Sequence, residues 1–267
     1  MISRTRLKAI GLAWLSLIFA SPARSDFTLN MPVGVTSTSR EIYDLHMLIL
    51  WVCVIIAVGV YAAMVVAIVR FRKSNGAKPA GFTHNSTVEV VWTVIPAAIL
   101  IAMAIPAAET LIRMEDTRDS ELTIKVTGYQ WRWQYEYLDD GVRFVSTLAR
   151  PSNAARQLDS GIDPFTVENY LLDVDEPLVV PVNTKVRLLI TASDVLHAWW
   201  VPEFGVKKDA VPGFINESWF NADTEGVYRG QCAELCGMDL AFMPMVVRVT
   251  SQHEYDAWLA DRKQDTE

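Results

Sequence analysis

The stretch MLILWVCVIIAVGVYAAMVVAIV, Met47 to Val69, carries no charged side chain. As a helix it is about 34 Å long, enough to cross the ~30 Å hydrocarbon core of a bilayer. A second apolar run covers Val90 to Ile112 and contains Pro96 and Pro106. Membrane helices tolerate proline because neighbouring groups re-satisfy the freed backbone. Between the runs lie Arg70-Phe-Arg-Lys73 and Lys78, a basic loop that the positive-inside rule places in the cytoplasm. Two spans, 47–69 and 90–112, therefore predict a hairpin over 26–115 with both flanks on the outer side. Residues 1–25 point the same way. Arg4, Arg6 and Lys8 precede a short apolar run, and Ala23-Arg-Ser25 offers small residues for signal cleavage near Ser25.

Beyond about Glu121 the pattern changes. Leu122-Thr-Ile-Lys-Val-Thr, Leu178-Val-Val-Pro-Val, Lys185-Val-Arg-Leu-Leu-Ile-Thr and Met245-Val-Val-Arg-Val-Thr read as short strands, punctuated by turns such as Val211-Pro-Gly213. No strand–helix alternation appears, which excludes a parallel α/β fold and predicts an antiparallel Greek-key sandwich or barrel over 116–267. Arg150 to Asp163 is polar and predicts a loop. Ser251 to Asp261 predicts a short helix.

Charge divides along the same boundary. Residues 1–110 hold nine Lys/Arg and five Asp/Glu, whereas residues 111–267 hold fifteen and twenty-six. An acidic soluble domain speaks against nucleic-acid binding. It suits steering of a basic partner, although solubility alone explains it as well.

The chemistry concentrates in Cys232-Ala-Glu-Leu-Cys236-Gly-Met-Asp-Leu-Ala-Phe-Met243. A disulfide between Cys232 and Cys236 and a metal site are the two readings to weigh. Two thiolates, a thioether and one imidazole form a soft donor set that copper prefers, and a thioether is a poor ligand for structural zinc. His197, between Leu196 and Ala198-Trp-Trp, would alone read as a packed core residue. Beside the cysteine loop it reads as a ligand. Cys53 lies in a span and reads as a small apolar residue. Glu89, at the start of the second span beside Trp92, alone reads as an interfacial carboxylate at a helix N-terminus.

These segments resemble subunit II of the haem–copper cytochrome c oxidases. The resemblance is carried by the two-span hairpin, Val88-Glu-Val-Val-Trp-Thr-Val-Ile-Pro96, Gly128-Tyr-Gln-Trp-Arg-Trp-Gln-Tyr-Glu-Tyr137, the His197 segment and the Cys232 loop. It implies a cupredoxin-like β-barrel, outside the bacterial inner membrane, that holds the dinuclear copper centre CuA. Cys232 and Cys236 would bridge both coppers. His197 and Met243 would complete one, and the backbone carbonyl of Glu234 would serve the other. The Glu234 side chain would reach a magnesium shared with subunit I. Trp131 would receive the electron from cytochrome c, and Glu89 would mark the mouth of a proton pathway in subunit I. Glu136, Asp139, Asp140 and Asp194 would form the docking face for a basic cytochrome c. The function implied is electron transfer from cytochrome c to subunit I, where oxygen is reduced to water and protons are pumped.

One position departs from the family pattern. Cys-Gly-x-x-His-x-x-Met reads here as Cys236-Gly-Met-Asp-Leu240-Ala-Phe-Met243, so a leucine stands at the second copper histidine. Three accounts follow: a weakened dinuclear centre, a single copper, or a copper-free subunit with a structural role like that of quinol oxidases. A copper-delivery protein is a further rival, poorly matched to the two-span anchor.

Overall fold

Thr36 opens the first helix. Its hydroxyl accepts from the Ser39 N–H at 2.9 Å, and the Ser39 hydroxyl accepts from the Thr36 N–H at 3.1 Å, a reciprocal cap. The computed structural model describes residues 30–78 and 81–264; the expected signal segment, 1–25, lies outside them. Helix α1 runs Ser37–Arg70 and helix α2 runs Ser86–Met114, where the Asn85 side chain caps the Val88 N–H.

Helix α1 thus begins well before the span expected at 47–69. The physical reason is docking. Its polar first turns face the β domain, with Thr36 bridging Ala222 and donating its hydroxyl to the Phe204 carbonyl at 2.9 Å. Arg40 pairs with Asp223, and Glu41 with Arg113 at the end of α2. Further along, the apolar side chains of both helices, Ile55, Val58 and Ile68 on α1 and Ile95, Ile101 and Ile112 on α2 among them, are exposed, as a bilayer-facing surface requires.

The β domain has ten strands: β1 (Leu122–Tyr129), β2 (Arg132–Tyr137), β3 (Val142–Ser146), β4 (Leu178–Pro181), β5 (Val186–Ala192), β6 (His197–Val201), β7 (Val206–Ala210), β8 (Asn216–Phe220), β9 (Gly226–Gln231) and β10 (Pro244–Thr250). They form sheets in the orders β3-β2-β1-β5-β8, β4-β10-β9 and β6-β7. Most neighbours are antiparallel, as expected. Two pairs, β1 with β5 and β4 with β10, are parallel. The chain between the members of each pair is long enough to return to the same end, which parallel pairing requires.

Alternation decides what is buried. β1 buries Leu122, Ile124 and Val126, and β5 buries Val186, Leu188 and Ile190. Each such side chain contributes roughly 1.5–3 kcal/mol on burial. The aromatic run supplies β2, which buries Trp133, Tyr135 and Tyr137. The Tyr137 hydroxyl donates to the Val179 carbonyl at 2.6 Å and accepts from its N–H at 3.1 Å, joining the two larger sheets. Helix α4 (Gln252–Gln264), at the place expected for a C-terminal helix, lays Tyr255 and Trp258 against Tyr137.

The stretch expected as a loop contains helix α3 (Arg150–Ala155). It is only six residues long and has no side-chain cap, so its sequence gives little helical signal.

Candidate metal centre

One end of the barrel collects the chemistry. The register of β9 and β10 sets Pro244 opposite Gln231, so the segment 232–243 is a hairpin loop with Cys232 at its start and Met243 at its end. The Cys232 N–H donates to the Met243 carbonyl at 3.0 Å and closes it. The Ala233 N–H donates to the Ala198 carbonyl at 3.1 Å, which brings this loop to the first turn of β6, where His197 stands.

His197 Nδ1 lies 3.9 Å from Cys232 Sγ, and Cys232 Sγ lies 3.8 Å from Cys236 Sγ. His197 is fully buried, Cys232 and Cys236 nearly so, and Met243 is 1% exposed. Both cysteines are free, so the disulfide reading is not what this structure contains. Among the described residues, His197, Cys232 and Cys236 make up the group of metal-type ligands whose donor atoms converge. Two sulfurs bound at about 2.3 Å to one ion at a tetrahedral angle stand about 3.8 Å apart, so the spacing suits a shared ion. Thiolate, thioether and imidazole together suit copper.

The imidazole is held from behind. Its Nε2 donates to Asp194 Oδ1 at 2.9 Å, because an ionised carboxylate only accepts, and this turns Nδ1 toward Cys232 Sγ, where an ion would be bound. The Gln130 N–H in turn fixes Asp194 Oδ2 at 2.8 Å. Gly128 leaves room for the ring: a Cβ there would sit 2.8 Å from His197 Cδ2. Burial works against the imidazolium, but Cys232 and Asp194 outweigh it and raise the His197 pKa. At Cys232 burial is likewise outweighed, chiefly by His197, and the thiol pKa falls. At Cys236, burial and then the charge on Cys232 push the thiol up to about 12. A cation entering this group displaces the thiol protons.

Trp131 and Gln130 form the turn between β1 and β2, and both donate to the Cys236 carbonyl, at 3.2 and 2.9 Å. The expected electron-receiving indole is therefore one hydrogen bond from the cysteine loop. The Glu234 carbonyl points inward, 3.6 Å from Cys232 Sγ, while its carboxylate accepts from the Leu235 N–H. Leu240 lies in a short turn, Leu240–Phe242, and packs partly buried against the core. Arg156, just past α3, braces that turn by pairing with Asp239 and stacking over Phe242 at 4.2 Å.

The expected docking residues separate. Asp194 is occupied as the partner of His197. Asp139 and Asp140 occupy the β2–β3 turn, at the other end of β2 from Trp131, roughly 20 Å away along the six-residue strand. Asp140 pairs there with Lys263 of α4 at 2.8 Å. Glu136 sits on β2 opposite Arg143. Glu89 lies in the first turn of α2. Sequence reasoning gave no supporting role to Asp194, Gln130, Gly128 or Arg156. The spacing of Asp194 three residues before His197 was the available signal for the first.

The family profile described as the periplasmic domain of cytochrome c oxidase subunit II matches residues 122–250, and the one described as its transmembrane domain matches residues 24–109. A probable cytochrome c oxidase subunit 2 from Rickettsia bellii is 40% identical over 95% of this chain and 91% of its own length. The chain belongs to the cytochrome c oxidase subunit II family. The cytochrome c oxidase subunit 2 of Cereibacter sphaeroides is 38% identical over 87% of this chain and 80% of its own. The crystal structure of the periplasmic domain of subunit II (CoxB) of Bradyrhizobium japonicum shares 42% identity over 56% of this chain and 98% of its own, with a TM-score of 0.48. As a subunit II, the chain is a two-span membrane component of an oxygen-reducing oxidoreductase, with α1 and α2 as the spans and a cupredoxin-like β domain beyond them.

Proposed function

We propose that the β domain faces the periplasm, accepts electrons from cytochrome c at a copper site held by His197, Cys232, Cys236 and Met243, and passes them to subunit I. The single observation that carries this reading is the buried convergence of imidazole and thiolates, with the Trp131 indole bonded to the Cys236 carbonyl. Copper supplies the one-electron redox change. The protein residues do the rest. His197, fixed by Asp194, presents Nδ1. Cys232 and Cys236 present sulfur from a closed loop. Burial keeps water out and the ligands in place, which limits rearrangement on electron transfer.

Trp131 gives the electron a covalent and hydrogen-bonded route to Cys236. Glu136, Asp139 and Asp140 act at longer range, through the field of the acidic domain rather than by contact at Trp131, and speed the approach of a basic cytochrome. Glu89 opens the proton route toward subunit I, and Glu234 offers its carboxylate to magnesium at that interface. The test is oxygen uptake by the purified oxidase with either reduced cytochrome c or a quinol as donor. Turnover with cytochrome c, at a rate that falls as salt rises, is expected. Turnover with quinol alone would overturn the reading in favour of a structural, copper-free subunit.

A further inference from the structure

The dinuclear centre that the family resemblance implies needs a second imidazole, and this chain has Leu240 there. We infer that the cluster is a one-ion site, in which His197, Cys232, Cys236 and Met243 all serve a single copper; this rests on the copper reading above. Donor supply is the first reason. The convergent group among the described residues contains one imidazole and two thiols. With Met243 it meets the four-donor demand of one soft ion. A second ion would share only the two sulfurs and the Glu234 carbonyl, a hard and neutral donor poorly matched to copper.

The neighbouring polar groups do not make up the deficit. Asp194 turns both carboxylate oxygens away, to His197 Nε2 and to the Gln130 N–H. Asp239 pairs with Arg156. The Cys236 carbonyl accepts from both Gln130 and Trp131. Leu240 itself packs against the core and offers a wall without a donor.

Burial is the second reason. A second copper in this buried group would lack the imidazole that the family pattern supplies at position 240, and a buried ion short of donors is strongly disfavoured.

The test uses the full-length chain in detergent, loaded with copper and freed of excess metal. Copper per chain is measured by elemental analysis, and the electron spin resonance hyperfine pattern reports whether the unpaired electron sees one nucleus or two. One copper per chain with a one-nucleus pattern is expected. Leu240→His should then double the stoichiometry and convert the pattern to that of an electron shared over two nuclei, whereas Leu240→Ala should leave both at the one-ion value. Two coppers in the unsubstituted chain would overturn the one-ion inference and leave the electron-accepting role standing. No bound copper in a chain that stays folded by circular dichroism would overturn both.

Discussion

Positions 197 and 240 hold the two places at which the family pattern puts an imidazole, and this chain furnishes them differently. At 197 the ligand stands with its whole support. Asp194 orients the ring, Gln130 fixes Asp194, and Gly128 makes room. At 240 the supporting scaffold is also present, since Arg156 braces the turn through Asp239 and Phe242, yet the side chain has no donor. The difference teaches that a ligand position is a layered construction. The backbone and bracing can persist where the donor atom is absent, and the capacity of the site follows the donor.

If that contrast is right, damage on the His197 side should matter most. Asp194→Asn keeps the shape but removes the charge that sets the ring's orientation and basicity. Copper affinity of the full-length chain, measured by competition with a chelator of known strength, should fall about 10–100-fold. An unchanged affinity would show that Asp194 does not support the ligand.

A comparable effect, read in stability rather than in affinity, is expected from Gly128→Ala, which forces a methyl against the imidazole at 2.8 Å. Overpacking of this kind costs about 1–3 kcal/mol. A lower midpoint in denaturant, together with a shifted copper spectrum, would tie the cost to the ring. A lower midpoint with an unchanged spectrum would place the strain elsewhere in β1.

The smallest effect lies away from both positions. Glu217 on β8 accepts a forked pair of hydrogen bonds from Arg187 on β5, which holds its pKa below the ordinary value of 4.5. A lowered carboxylate pKa gives stability that is complete above the unfolded value and is lost as pH falls through the folded one. Glu217→Gln should therefore reduce stability slightly at neutral pH and flatten the acid limb of a stability-against-pH curve below about 4.5. Copper stoichiometry should stay unchanged, since the pair does not touch the metal loop.

Much of this was legible in the chain. The apolar spans announced themselves by length, and β1, β4, β5 and β10 by their β-branched, apolar runs. The polar start of α1 was not, because its stability comes from Thr36, Arg40 and Glu41 docking on groups far along the chain. Strands β7 and β8 escaped because Val206–Ala210 and Asn216–Phe220 carry mostly polar residues, and β9 because Gly226 and Gly230 interrupt the short run Gly226–Gln231. The donor atoms of the site could be read from residue type. Of the support around His197, only Asp194 left a signal, in its spacing; Gly128 and Gln130 come to the ring and to Asp194 only once the end of β1 meets the start of β6.

In the proposed function, electrons from cytochrome c enter through this cluster. Rapid mixing of reduced cytochrome c with the purified oxidase, followed at the copper absorption of this chain, tests it most directly. Oxidation of the cytochrome and reduction of the copper should proceed together, before any change at the haems of subunit I. Haem reduction that outruns a silent copper signal would contradict it.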